Sequence, residues 1–164
     1  MLDNFSTRAR HVLFVARLKA GERGAAAIDI DDLIHALIFE DQGMLETVFS
    51  SVFEGHGTPI NAGPSHVPFF SSTLATQLLA HLEKTLPRSQ PVSLATEIPL
   101  SPSVESACNS AEALQARFQH NHIEPLHLLG AVLSTKASPT VKLLQSSGIT
   151  EENVLAAISD MPKG

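Results

Sequence analysis

Eight histidines and a single cysteine carry most of the chemical reach of this sequence. His120, His122 and His127, with Glu124 among them, form the densest cluster. Imidazole with carboxylate is a zinc ligand set, but such a site needs convergent geometry and a supporting shell. These residues straddle a helix end and a loop, so no metal is expected there. His56 and His66 lie in a Pro/Gly-rich stretch and are expected in solvent. Cys108 would act as a nucleophile only as an exposed thiolate beside a base. It falls among Val104, Ala107 and Ala111, on what reads as an apolar helix face, so a packed thiol is expected. The acidic pairs Asp31-Asp32 and Glu151-Glu152 both open helices, where carboxylates are stabilising without any acid–base role. No Gly-x-x-x-x-Gly-Lys-Ser/Thr loop is present. No catalytic residue and no cofactor are therefore assigned.

Val67, Phe69 and Phe70 pose a different question. Apolar residues after a run rich in glycine and proline either fold back on the core or offer a surface to another polypeptide. They are the best hint in the sequence of a peptide groove.

Of 164 residues, 43% are hydrophobic, enough for a packed interior. Eleven basic residues face 17 acidic ones, giving −6, which leaves no basic footprint for nucleic acid or anionic lipid. Trp and Tyr are absent, removing their stacking platforms for single strands. No apolar run approaches the roughly 18 residues a membrane span needs, and the N-terminus has no secretory pattern. A lone cysteine suits a reducing compartment, so a cytoplasmic location is expected.

Helices must hold these residues in place. Ser6 is a helix N-cap followed by apolar Ala9, Val12, Leu13, Ala16 and Ala20, with Gly24 as the stop. Asp29, Asp31 and Asp32 open a second helix carrying Leu33, Ile34, Leu37 and Ile38. A third is predicted from Met44 to Phe53, and a fourth from Ser72 to Leu86 after the 54–70 loop. Residues 87–99, with three prolines, read as a linker. Ser101-Pro102 opens a helix with Val104, Ala107, Cys108, Ala111, Leu114 and Phe118 on one face. Leu128 to Leu133 lie on the next helix, Val141 to Leu144 on another, and Thr150 caps the last, with Val154, Leu155 and Ile158. No stretch alternates with a period of two, so the prediction is all-α: about eight helices and no sheet.

Residues 5–38 superpose on 100–133 with no gap. Ser6 meets Ser101, Ala16 meets Ala111, Ile28 meets Ile123 and Leu33 meets Leu128. Matching of caps, stripes and gaps together predicts two tandem four-helix repeats about a pseudo-two-fold axis. The first spans 1–86 with an inserted loop at 54–70, the linker is 87–99, and the second spans 100–160. Together they are expected to make one compact domain.

The run Phe5-Ser6-x-x-Ala9-x-x-Val12-Leu13, followed by Ile28 and Leu33-Ile34-x-Ala36-Leu37, resembles the Clp repeat. So do Ile123-Glu124-Pro125-Leu126-His127-Leu128-Leu129-Gly130, and Val141-x-x-Leu144 through Gly148-Ile149. The resemblance covers nearly the whole chain outside 54–70 and 87–99. It implies a double-repeat domain like those at the N-termini of the Clp AAA+ unfoldases, which bind adaptors and substrates outside the ATPase ring. It also gives His127 a structural place at a helix start. In some relatives a glutamate in each repeat, helped by a hydroxyl, binds phosphorylated arginine. Asp31 and Ser6 hold those positions in the first repeat; in the second Ser101 keeps the hydroxyl, but Leu126 replaces the glutamate and cannot pair a guanidinium. A single weakened site is the most the resemblance implies.

The expected function is protein binding without catalysis, through Ser6, Asp31, Ser101, Val67, Phe69 and Phe70. The expected partners are a Clp adaptor, an unfoldase or protease subunit, or an unfolded substrate. The chain is expected as a monomer or weak dimer, either part of a longer ATPase or stand-alone. The alternative is a structural or regulatory helical protein that works without an ATPase.

Overall fold

Among the described residues, five helices start where a short polar side chain, Ser6, Asp29, Ser71, Ser101 or Thr150, satisfies an orphan backbone donor. The computed structural model describes residues 4–44, 69–86, 89–93, 96–135 and 139–161. Seven helices form among them: α1 (Thr7–Glu22), α2 (Ile30–Asp41), α3 (Ser72–Thr85), α4 (Pro102–Arg117), α5 (Pro125–Thr135), α6 (Pro139–Ser146) and α7 (Glu151–Asp160). Ser6, Ser71, Ser101 and Thr150 each accept the backbone N–H three residues on, at 3.1–3.2 Å. The helix predicted between Met44 and Phe53 falls almost wholly outside the described residues, as does the greater part of the 54–70 loop, Val67 included. No helix is long and apolar enough to cross a membrane among the described residues.

The core is one cluster running through every described helix. α5 lies at its centre. His127 through Leu133 are all buried, because this helix is apolar on nearly every side and packs against α4, α7, α2 and α1. α1 buries Val15 and Leu18 as well as the predicted Ala9, Val12, Ala16 and Ala20, whereas Leu13 is half-buried. Cys108 is buried, and burial, with Glu105 adding to it, pushes its thiol up to about 11. An inert packed thiol is the consequence.

The halves are joined by an exchange of backbone hydrogen bonds. Ser6 N–H donates to Ile123 O at 3.0 Å, and Ile123 N–H donates to Asn4 O at 2.8 Å. Ser101 N–H donates to Ile28 O at 2.9 Å, and Ile28 N–H donates to Pro99 O at 2.8 Å. The residues of the second set are those of the first shifted by the repeat offset, with partners swapped. Reciprocity of this kind is the signature of a two-fold relation. These two single-residue parallel bridges are the β pairing found among the described residues.

The segment predicted as a linker lies along α1. Ser89 N–H donates to Arg23 O at 2.7 Å, and Val92 N–H donates to Gly21 O at 2.8 Å. Arg17 reaches Ser93 O at 2.9 Å and also Thr96 O. Ile98 is buried in the core. Gly24 makes this close approach possible. Its φ is +71°, and a Cβ there would stand 2.2 Å from Gln90 O and 2.8 Å from Ser89. Gly148 also has positive φ, +95°, but nothing lies within 4 Å of its would-be Cβ. Gly24→Ala should therefore cost about 2 kcal/mol or more, and Gly148→Ala about 1 kcal/mol, by urea unfolding. Equal losses would show that the 89–92 segment does not press on α1.

Candidate functional site

The repeat offset puts Asp32 opposite His127 in the two halves, each at the third position of its helix. Both do the same local work. Asp32 Oδ2 accepts the N–H of Asp29 at 3.0 Å, closing a capping box, and His127 Nδ1 accepts the N–H of Glu124 at 2.8 Å. The two then diverge. Asp32, fully buried, takes both a 2.8 Å bond from Arg23 Nε and a 2.7 Å bond from Arg23 Nη2. That hydrogen-bonded partner holds the Arg23 guanidinium above its ordinary value. His127, also fully buried, meets another imidazole: its Nε2 lies 3.0 Å from His120 Nδ1. Burial, with the His120 ring second, pushes His127 down to about 4.

One cavity of about 750 Å³ opens where the halves meet. Its walls come from the start of α1, the end of α2, residues 69–70, the turn into α5 and the end of α7. Arg8 pairs with the buried Glu40, donating from Nε at 2.8 Å, and the two stand on one wall. Asp41, at the end of α2, accepts the N–H groups of Phe69 at 2.6 Å and Phe70 at 3.0 Å. Gln42 donates to both Asp41 and Phe70 O. This clasp fixes the chain entering α3 against α2. Phe70 folds back into the core, 2% exposed, while Phe69 is half-buried and faces the cavity. Leu37, Leu126, Leu129 and Met161 supply further apolar lining.

The predicted site residues divide across the dyad. Ser6 N–H bonds Ile123 O, beside the turn that carries Leu126; Ser101 N–H bonds Ile28 O, beside the turn that carries Asp31. The Ser101 hydroxyl lies 3.3 Å from Asp29 Oδ1. The hydroxyl beside the acidic start of α2 thus comes from the other repeat. Both serine oxygens are already used as N-caps. Asp31 is half-buried in the first turn of α2 and adds to the charge that favours the Arg23 cation. Phe69 and Phe70 share the cavity with Leu126; Ser6, Ser101 and Asp31 are not among its lining. Sequence reasoning missed Leu37, Glu40, Asp41 and Met161, because their roles arise only from packing. The seven-residue spacing of His120 and His127 was visible, but not that their rings would meet. Among the described residues no three His, Cys, Asp or Glu side chains gather as a metal set.

These features define an all-helical double-repeat domain with an apolar cavity between its halves. The chain belongs to the Clp repeat N-terminal domain family, whose sequence profile matches residues 71–147 and 100–163. The fold is similar to a chain solved in preliminary structural investigations of a malarial protein secretion system, at 17% identity and a TM-score of 0.66. That match covers 94% of this chain and 92% of the other. It is similar also to the N-terminal domain of the caseinolytic protease associated chaperone ClpD from Arabidopsis thaliana, at 14% identity and a TM-score of 0.64, over 96% of each chain.

Two outcomes follow for stability. Arg23→Met strands a fully buried carboxylate and should cost about 3–5 kcal/mol by urea unfolding at pH 7. The lowered folded value of His127 means the unfolded chain takes up the proton first. Its contribution is whole above about pH 6.5 and is lost as pH falls towards 4, up to about 3 kcal/mol. His127→Asn should flatten that slope relative to the parent chain; parallel slopes would show that His127 titrates normally.

Proposed function

We propose that this chain is a protein-binding module of a Clp-type ATP-dependent unfoldase or protease system, with no catalysis of its own. The two repeats, 1–86 and 100–160 joined by 87–99, act as one domain, working in the cytoplasm as a monomer or weak dimer. Its ligand is a Clp adaptor, an unfoldase or protease subunit, or an unfolded substrate.

One observation carries this reading: the cavity between the halves presents half-buried Phe69 and Leu126 to a visitor, beside Leu37 and Met161. A mostly apolar concave site with a few charged groups on its rim suits a polypeptide side chain. Membership of the Clp repeat family supports it, since the resemblance implies adaptor and substrate binding. So does the N-terminal domain of the chaperone ClpD, which has a similar fold. Asp31 and Ser101 on the other turn, and Ser6 beside the Leu126 turn but outside the cavity lining, remain the proposed polar contacts, and Val67 belongs to the same apolar segment as Phe69.

A photocrosslinking residue placed at Leu126 or Phe69 should capture Clp adaptors, Clp subunits or unfolded clients from host lysate. The same residue at exposed Glu83 on α3 should not. Leu126→Asp should weaken binding of the captured partner about tenfold or more by titration calorimetry. Equal capture at all three positions, or none, would remove the cavity as the binding site.

A further inference from the structure

The His120–His127 pair forms a hydrogen-bond chain with a forced direction. Glu124 N–H donates to His127 Nδ1 at 2.8 Å, so that nitrogen carries no proton. A neutral His127 is then protonated on Nε2 and donates across 3.0 Å to His120 Nδ1. His120 in turn is protonated on Nε2, which faces Met161 O at 3.4 Å. Every donor meets an acceptor only while both rings are neutral. A second proton on His127 would sit at Nδ1, against the Glu124 N–H. A second proton on His120 would sit at its own Nδ1, against His127 Nε2–H. Either places two donors face to face inside a structure where His127 is 0% and His120 6% exposed.

The charged groups nearby offer no relief. On the far wall, the Glu40 carboxylate is engaged by Arg8 and that of Asp41 by the 69–70 backbone. On the turn into α5, His122 is exposed and Glu124 bonds His127 through its backbone N–H. From α4, Phe118 stacks on His120 at 6.4 Å, with the Arg117 guanidinium 5.1 Å from the Phe118 ring. At the end of α7, Asp160 is exposed. No carboxylate bonds either imidazole.

We propose that the His120–His127 pair is a proton-operated latch on the cavity. Neutral, it ties the turn before α5 to Met161 at the end of α7; protonated, it releases that wall. His120, Leu126 and Met161 all line the cavity, so its shape changes with the state of the pair. His120 and Met161 swing outward, because Met161 is half-buried just past the last turn of α7 while His127 is locked in the core. The lowered value of His127, about 4, puts the release in clearly acidic solution, as pH falls towards 4. As a regulator of binding, the latch rests on the cavity being the binding site; as a movement of its wall, it does not.

The test is an NMR titration of the full ¹⁵N-labelled chain from pH 7.5 to about 3, spanning the lowered value of His127. Long-range ¹H–¹⁵N spectra read the ring tautomers, backbone amides report on Phe69, Leu126 and Met161, and far-UV circular dichroism follows helicity. Both rings should be Nε2–H tautomers at pH 7.5. The three amides should shift together with ring protonation, at a midpoint near 4, with helicity retained. In His127→Asn the amide shifts at that midpoint should disappear. Should that variant not fold, His120→Phe, which keeps a ring against Phe118, should abolish the same shifts. Nδ1–H tautomers, amides unmoved by ring protonation, shifts persisting in the folded variant, or loss of helicity before any amide moves would each overturn the latch. Failure here would leave partner capture at Leu126 and Phe69 untouched.

Discussion

Four backbone hydrogen bonds, two on each side of a dyad, hold the two halves in register. The chain before α1 pairs with the chain before α5, and the chain before α4 pairs with the chain before α2. Each half thus completes the other's helix starts. Backbone groups at helix ends are costly to bury unpaired, and this exchange satisfies them while drawing the apolar stripes together. The all-round burial of α5, the seat of Ile98 and the cavity between the halves all follow from that arrangement.

A duplicated frame need not carry duplicated chemistry. At equivalent helix starts one half places a carboxylate and pairs it with Arg23; the other places an imidazole and pairs it with His120. Both close the same local turn, so the backbone tolerates either. The surroundings differ because Arg23 and Phe118 are themselves equivalent positions under the repeat offset. An ion pair became an aromatic stack, and His120, equivalent to Ala25, filled the space beside His127. One half therefore carries a permanent charge pair at its helix start and the other a neutral, titratable one. The cavity lies against the neutral side.

Residues 69–70 link the two themes. A carboxylate at a helix C-terminus is disfavoured by the helix dipole, yet Asp41 sits at the end of α2. Three N–H donors, from Phe69, Phe70 and Gln42, offset that cost. The result pins Phe70 in the core and leaves Phe69 at the cavity.

Much of this was legible from local signals. Serine and threonine caps at Ser6, Ser101 and Thr150, the glycine stop at Gly24, and three- and four-residue apolar spacing specify helices, because their causes lie within a turn or two of chain. The offset between Ile28 and Ile123 made the duplication readable, and buried Cys108 followed from its stripe. What only tertiary structure decided depends on residues distant in sequence. The pairing of Ser6 with Ile123, rather than with its own repeat, needs the dyad; the clasp of Asp41 on Phe69 and Phe70 needs α2 and α3 side by side. The contact of two imidazoles needs α4 to end where α5 begins. Periodicity tells which face of a helix is buried, but not which face of another helix covers it, since apolar stripes attract without direction and the partner is chosen by how all of them pack at once.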